Sequence, residues 1–185
     1  MNAATFFPDY FSALAEAIAS ASADDLADAG RLIRKTQESA RKVIIVGNGG
    51  SAAIASHVAV DLTKAAGIRA VNFNEADLLT CLSNDYGYEH WVEKALDFWA
   101  DPGDLVIVIS SSGASANMIN GAQRARETGL GLITFSGFGS GNPLRQLGDL
   151  NFWLDSTEYN IVETVHQTWL LAIVDHLISL KRKSA

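Results

Sequence analysis

Short β-branched and apolar runs alternate with longer helical stretches along this chain, and this alternation is the feature that most constrains its fold. The first such run, at residues 43–46, leads directly into glycines, as buried parallel strands commonly do. The remaining predicted strands lie at residues 70–73, 105–109, 130–135 and 150–154. Because strands separated by helices pair in parallel, the sequence predicts a three-layer α/β/α fold with a five-stranded, mostly parallel sheet.

Helical spacing fills the segments between the predicted strands. In the first helix, Phe7, Phe11 and Leu14 recur at three- and four-residue intervals and mark one apolar face. The other predicted helices lie at residues 24–41, 51–66, 77–99, 115–128, 143–147 and 159–181. The first two helices and the last offer more apolar surface than one small sheet needs, unless all of it packs within one chain. We therefore expect one domain over residues 1–185 that forms a homo-oligomer through residues 5–41.

Composition narrows the class of protein. Hydrophobic residues make up 48% of the chain and charged residues 19%, which excludes wholesale disorder. The formal net charge of −7 provides no basic field for nucleic acid or anionic membranes, so neither is an expected partner. No apolar run reaches the roughly 18 residues of a membrane span, and the N-terminus lacks a secretory pattern, so we expect a soluble cytoplasmic protein. Cys81, the single cysteine, excludes an internal disulfide and a multi-cysteine zinc site.

A glycine-rich loop follows the first predicted strand, with the sequence Gly-Asn-Gly-Gly-Ser-Ala at 47–52. The glycines allow close approach of a ligand, and Ser51 begins a helix whose free N–H groups favour an anion. The spacing Gly47-x-Gly49-x-x-Ala52 also satisfies a loose dinucleotide fingerprint, with Glu75 at the distance of a ribose-binding acid. A tight turn without any ligand is the third interpretation of this loop.

A serine-rich loop follows the third predicted strand, and it offers hydroxyl donors at the start of another helix. These serines are Ser110, Ser111, Ser112 and Ser115. Hydroxyls and a helix dipole can bind phosphate without a lysine, although a serine-rich surface turn is the simpler alternative. Because both loops leave parallel strands at the same edge of the sheet, we expect them to form one crevice.

Together the two loops resemble the sugar isomerase (SIS) domain, through Gly-Asn-Gly-Gly-Ser at 47–51 and Ser-x-Ser-Gly-x-Ser-x-Asn at 110–117. Three further features resemble its phosphoheptose isomerase branch: Asn-Asp-Tyr-Gly at 84–87, the run from Ser51 to His57, and a Glu-x-x-His segment in the last helix. The resemblance covers residues 11–180 and implies a flavodoxin-like fold.

The resemblance also implies a function. Members of that branch convert sedoheptulose 7-phosphate to D-glycero-D-manno-heptose 7-phosphate through an enediol, for the heptose of bacterial lipopolysaccharide. They are typically homotetramers, and several carry zinc. By this resemblance the phosphate would bind Ser110, Ser111, Ser112 and Ser115. The sugar would bind Asn48, Gly49, Gly50, Ser51, Asn84, Asp85 and Glu163.

The chain departs from the family at the positions that carry the chemistry. Asp61 replaces the glutamate that serves as base, and Leu171 stands where the family has a catalytic histidine. Glu163 occupies the position of a glutamine, and Asn160 replaces an aspartate. The loss of the histidine favours a second hypothesis, a non-catalytic sugar-phosphate-binding or regulatory protein of the replication-initiator-binding type.

The remaining polar residues still suggest a catalytic constellation. His57 and Asp61 share one helix face, and Glu163 and His166 share another. If these faces meet, Asp61, Glu163 and His166 are the expected catalytic residues. His57, Asp61 and Glu163 would then bind zinc or another divalent metal, with no nucleotide cofactor. Each assignment has an alternative. His57 and Asp61 could lie on a solvent-exposed helix face, His166 could pack between helices, and Glu163 could line the pocket or lie at a subunit interface.

Overall fold

The computed structural model describes residues 2–184 and consists of parallel strands alternating with helices. In chain order the elements are α1 (Ala3–Ala19), α2 (Ala23–Glu38), β1 (Val43–Gly47), α3 (Gly50–Asp61), β2 (Ala70–Val71), α4 (Ala76–Tyr86), α5 (Trp91–Trp99), β3 (Leu105–Ser110), α6 (Ala116–Glu127), β4 (Gly131–Ser136), β5 (Leu150–Trp153) and α7 (Tyr159–Ser184). A π-helical turn at Leu62–Ala66 follows α3, and short 3₁₀ turns lie at Tyr88–His90 and Leu144–Gln146.

The five strands form one sheet in the order β2-β1-β3-β4-β5, and every neighbouring pair is parallel. This flavodoxin-like order confirms the predicted fold class. The chain moves outward from β1 to β2 and then crosses to β3 on the other side of β1. Ligands in such sheets bind where the strand order reverses, at the carboxyl ends of the strands. The loops after β1 and β3 therefore flank the expected binding position.

The central strands are apolar along their whole length because helices cover both faces of the sheet. All five residues of β1 are buried. Val43 and Ile45 pack in a core with residues of α2, α3 and α7, whereas Ile44 and Val46 pack on the other face with residues of α5 and α6. This two-sided core fixes α3, α6 and α7 relative to the loops that precede α3 and α6.

Helix α1 has no fully buried residue. Leu14 and Ile18 pack against the core, but Phe6, Phe7 and Phe11 are 42%, 54% and 61% exposed. The indole N–H of Trp169 in α7 donates to the carbonyl of Ile18 at 2.8 Å and so anchors the end of α1. Exposed aromatics of this kind are consistent with the predicted subunit contact, which stays a prediction. Across residues 2–184, every helix is too short or too polar to cross a membrane.

The predicted helix at residues 143–147 is only a 3₁₀ turn, the one at 24–41 ends at Glu38, and the one at 77–99 is interrupted. The segment 77–99 was expected to be continuous, but α4 ends at Tyr86 and α5 begins at Trp91. Gly87 has a φ of +91°, which the right-handed helix does not allow, and the chain turns there. The break places Tyr88 beside the glycine-rich loop.

Candidate functional site

The loops after β1 and β3 line a cavity of about 280 Å³ at the carboxyl edge of the sheet. We call it the serine-loop cavity; its lining is Asn48, Gly49, Gly50, Ser51, Ile109, Ser110, Ser111, Ser112, Ser115, Tyr159 and Glu163. A neighbouring cavity of about 600 Å³, here the helix cavity, is lined by Tyr10, Gly50, Ala53, Ile54, His57, Asn160, Glu163, Thr164 and Gln167. Gly50 and Glu163 line both, so the two cavities form one crevice with two ends.

The serines of the serine-loop cavity form hydrogen bonds with residues close to them in sequence or in the neighbouring loop. The Ser110 hydroxyl donates to the Ser115 hydroxyl at 3.5 Å, and the Ser112 hydroxyl accepts from the backbone N–H of Ala114 at 3.2 Å. The Ser111 backbone carbonyl accepts from Gly137 at 2.9 Å, which fixes the loop, but its buried hydroxyl has no partner within the protein. Because buried hydroxyls are normally paired, this one is available to a ligand.

Neutral groups supply the attraction for an anion in this cavity. Its lining, as far as the structure describes the chain, contains no lysine or arginine. Helices α3 and α6, of 12 residues each, begin at the cavity, and neither Gly49 nor Ser115 caps its helix with a side chain. The positive ends of both helix dipoles face this space, but the carboxylate of Glu163 lies against the start of α3, so the start of α6 is the end that suits a phosphate group.

A pair of amides ties the two loops together. Asn48 donates to the Oδ1 of Asn117 at 3.0 Å, and Asn117 donates back to the Oδ1 of Asn48 at 2.9 Å. The Tyr88 hydroxyl also donates to that Asn48 oxygen, at 3.0 Å. Sequence reasoning named Asn48 but gave no role to Asn117, which stood in the quoted motif, or to Tyr88. These contacts orient Asn48 at the wall of the cavity.

A second buried amide, that of Asn142, stabilises the segment that packs against the serine loop. Asn142 donates to the Ser136 hydroxyl at 3.1 Å and to the carbonyls of Gly137 and Gly139, and its Oδ1 accepts from the backbone N–H of Arg145. The next turn is bonded to the loop itself, because Leu144 donates to the carbonyl of Gly113 at 3.1 Å. Sequence reasoning missed Asn142, whose position before a proline in a glycine-rich stretch was the available signal.

Two predicted sugar-binding residues do not reach the crevice of this chain. Asn84 and Asp85 are exposed near the end of α4, where Asn84 donates to Asp85 at 3.0 Å. Neither residue lines either cavity. Glu75, the acid of the dinucleotide hypothesis, immediately precedes α4 and also lies outside the two linings.

Glu163 occupies the junction of the two cavities. Its carboxylate lies against Gly50 at the start of α3, and a Cβ at position 50 would overlap it. Only a glycine at position 50 allows this approach without displacement of the carboxylate. The N-terminus of α3 thus faces a negative charge supplied by the chain itself, and a carboxylate stands between the two ends of the crevice.

His57 in the helix cavity has a partner on each ring nitrogen. Its Nδ1 lies 2.9 Å from the Nε2 of Gln167, and its Nε2 lies 3.3 Å from the Oδ2 of Asp61. Asp61 is the last residue of α3 and lines neither cavity. Sequence reasoning missed Gln167, although its position four residues after Glu163 places both side chains on one face of α7.

His166 lies in the core, and its predicted convergence with His57 and Asp61 is wrong. Its side chain is buried, its Nε2 lies 3.1 Å from the carbonyl of Ser136, and its ring packs beside Phe135 and Trp169. Burial lowers the pKa of His166 to about 4, so the imidazole is neutral at pH 7. Three positions along a helix correspond to an offset of about 60° from Glu163, enough to turn the side chain from the crevice into the core.

The predicted zinc ligands are not assembled in this chain. Nowhere in residues 2–184 do three histidine, cysteine, aspartate or glutamate side chains group as a metal site requires. His57 is engaged by Asp61 and Gln167, while Glu163 lies against Gly50. The expectation that His57, Asp61 and Glu163 converge on one ion is therefore corrected, and the residues of a single chain do not fit a zinc centre.

Comparison with known proteins agrees with this architecture. Residues 6–137 match the SIS domain family. The phosphoheptose isomerase of Bradyrhizobium sp. is 34% identical over 150 residues, covering 76% of this chain and 75% of that protein; the enzyme of Aquifex aeolicus is 32% identical over 152 residues, covering 79% of each. The structure of phosphoheptose isomerase from Neisseria gonorrhoeae superposes with a TM-score of 0.86 at 26% identity, over 96% of this chain and 100% of that one. This chain therefore belongs to the SIS domain family and, within it, to the phosphoheptose isomerases.

Proposed function

We propose that the protein is an aldose–ketose isomerase that converts sedoheptulose 7-phosphate to D-glycero-D-manno-heptose 7-phosphate through an enediol. One observation carries the proposal: a cavity of neutral phosphate-binding groups opens past a carboxylate, Glu163, into a second cavity that contains an imidazole, His57. Family membership supports the same reaction, because the matched relatives are phosphoheptose isomerases.

The phosphate is proposed to bind in the serine-loop cavity. Its oxygens accept from the hydroxyls of Ser110, Ser111 and Ser115 and from the free N–H groups at the start of α6. The sugar chain then extends past Gly50, where the two cavities meet, so that its carbonyl end lies in the helix cavity. This placement separates binding of the phosphoryl group from the reacting carbons.

The proton transfer is assigned to Glu163. Its carboxylate removes a proton from C1 of the ketose, the electrons form the C1–C2 double bond, and O2 accepts a proton, which gives the enediol. Return of the proton to C2, with loss of the proton from O1, forms the aldose carbonyl at C1. His57 is the imidazole that lines the crevice, and its Nε2–H, which lies 3.3 Å from the Asp61 carboxylate and would share or exchange that contact, is the proposed donor to the substrate oxygen.

The direct test is turnover. Purified protein is mixed with sedoheptulose 7-phosphate, and formation of the aldose phosphate is followed by NMR. The expected result is conversion to an equilibrium mixture of the two sugars, with no conversion of the sugar that lacks the phosphate. No turnover of the phosphorylated sugar would contradict the proposal.

A non-catalytic sugar-phosphate-binding role is the second candidate, and Leu171 is the observation that favours it. Leu171 packs against the apolar core and offers no proton. In that case the phosphosugar would raise the melting temperature of the protein without being converted. The two candidates differ in the NMR experiment alone, because both predict binding at the serine loop.

We also propose a cytoplasmic homo-oligomer, most simply a tetramer, with α1 in a subunit contact. The exposed aromatic side chains of Phe6, Phe7 and Phe11 support this proposal. Light scattering after size exclusion is expected to give a multiple of the 19.8 kDa chain mass. A monomer at micromolar concentration would contradict it.

A further inference from the structure

Gln167 stands in the helix cavity one turn after Glu163, and its side chain contacts His57. We propose that Gln167 is a positioning residue that holds the His57 imidazole in one tautomer and one orientation, with the proton on Nε2. The kinetic part of this inference rests on the proposed isomerase function, whereas the tautomer does not.

The first argument comes from Asp61. The Oδ2 of Asp61 lies 3.3 Å from the Nε2 of His57 in an ion-pair contact, and an ionised carboxylate offers no donor, so this contact favours a proton on Nε2. In a neutral imidazole the other nitrogen, Nδ1, then carries a lone pair and needs a donor. The amide N–H₂ of Gln167 is such a donor, at 2.9 Å from Nδ1. Two partners on different helices therefore select the same tautomer.

The second argument comes from mobility. The His57 side chain is 48% exposed, so core packing does not hold its ring. Gln167, in contrast, belongs to a helix anchored on its other face by Val165, Trp169 and Leu170, all buried. A hydrogen bond from this fixed helix immobilises the imidazole at the correct angle. Without it, rotation of the ring or transfer of the proton to Nδ1 would direct a lone pair where the substrate oxygen needs a donor.

The test uses two substitutions and a matched control in the intact protein. Gln167→Leu keeps the approximate size of the side chain and removes both polar groups, whereas Gln167→Glu presents only acceptor oxygens to Nδ1. The control is Gln37→Leu, since Gln37 donates to the carbonyl of Gly67 at 3.2 Å outside the crevice. We expect Gln167→Leu to lower kcat about 10- to 100-fold with KM changed less than about threefold, and Gln37→Leu to leave both unchanged.

The second readout is the ¹⁵N spectrum of the imidazoles in histidine-labelled protein. The chain has four histidines, and loss of a signal in His57→Ala identifies that of residue 57. We expect a protonated Nε2 and an unprotonated Nδ1 in the parent protein, a mixture in Gln167→Leu and a protonated Nδ1 in Gln167→Glu. This pattern needs no substrate, so it separates failure of this inference from failure of the isomerase proposal.

Two outcomes would overturn the inference. One is a proton on Nδ1 of His57 in the parent protein. The other is a Gln167→Leu variant whose imidazole signals and kcat match those of Gln37→Leu. Should Gln167→Leu fail to fold, Gln167→Glu decides the matter by the same spectrum, because its side chain keeps the length and polarity that solvent exposure at this position requires.

Discussion

The two ends of the crevice are built in different ways. At the serine-loop end, the binding groups come from loops of a few residues and from the backbone at the starts of α3 and α6. At the helix end, the functional groups are side chains of α3 and α7, and the contact between His57 and Gln167 joins residues 110 positions apart. Local loop geometry therefore specifies the first end, whereas the rotational setting of two packed helices specifies the second.

The ends also differ in how their polar groups are satisfied. The buried Ser111 hydroxyl has no partner within the protein, so a ligand can bond to it without breaking a hydrogen bond of the fold. His57, in contrast, has a partner on each side, and a substrate oxygen must share or replace one of them. The serine-loop end is thus prepared for binding, and the helix end is prepared to hold a reactive group in one state.

The largest expected effect is a loss of kcat, and it tests the helix end of the crevice. Glu163→Gln removes the carboxylate proposed as the base, and kcat should fall about 100- to 10,000-fold with little change in KM. Asp61→Asn should cost less, because Asp61 lines neither cavity and acts through His57. Steady-state kinetics with sedoheptulose 7-phosphate measures both, with Glu158→Gln, an exposed acid before α7, as control. A larger loss in Asp61→Asn would transfer the role of base to Asp61.

The second effect concerns the buried face of α7. The pKa of His166 is lowered by burial from 6.5 to about 4, so the unfolded chain binds a proton that the folded protein does not. The free energy of unfolding should therefore fall as the pH drops from 6.5 towards 4, by about 3 kcal/mol in total. Urea denaturation at several pH values should show that the free energy of unfolding of His166→Leu lacks this fall between pH 6.5 and 4, whereas that of His176→Gln keeps it. Equal pH dependence in both variants would contradict the burial of His166 as described.

A smaller effect, on KM, tests the serine-loop end of the crevice. Ser111→Ala removes a hydroxyl that the fold leaves unpaired, so KM should rise about 10-fold while the free energy of unfolding stays equal or increases. Ser179→Ala provides the control, since that hydroxyl bonds only within α7, at 2.8 Å from the carbonyl of His176. A substantial loss of stability in Ser111→Ala would show that the hydroxyl serves the fold instead of the ligand.

The smallest effect concerns the link between the loops. Tyr88→Phe removes the hydrogen bond to the Asn48 oxygen but leaves the reciprocal bonds with Asn117. KM should rise about threefold, because an exposed neutral hydrogen bond contributes little. Tyr86→Phe is the comparison, since Tyr86 is exposed nearby and packs against Phe98. Identical KM values in the two variants would show that Tyr88 does not contribute to substrate binding at the serine-loop end.

Much of the fold follows from the sequence because its signals are local. All five strands were located from the predicted runs, with ends that differ by one or two residues, since a strand buried on both faces is apolar along its length. The break at Gly87 was missed because a glycine inside a helical pattern is compatible with either a helix or a turn. The serine and glycine loops were located correctly for the same reason, as each signal lies within a few residues.

The helix end was less accessible to such reasoning. His166 was placed in the crevice because it is three residues from Glu163, but the direction of a helix face depends on packing that a single sequence does not show. The Phe135 and Trp169 rings that enclose His166 come from β4 and α7. Gln167 was overlooked for the opposite reason: no family motif included it, although the spacing from Glu163 was sufficient to place it on the same face.

The lack of a fixed cation in the serine-loop cavity has a consequence for how ionic strength affects the protein. Most phosphate sites built on lysine or arginine weaken in salt because screening removes a long-range attraction. Here the contacts act only at short range, whereas the chain as a whole carries a net charge of −7 and repels a dianion at a distance. Moderate salt should therefore favour encounter with a sugar phosphate, reversing the usual dependence.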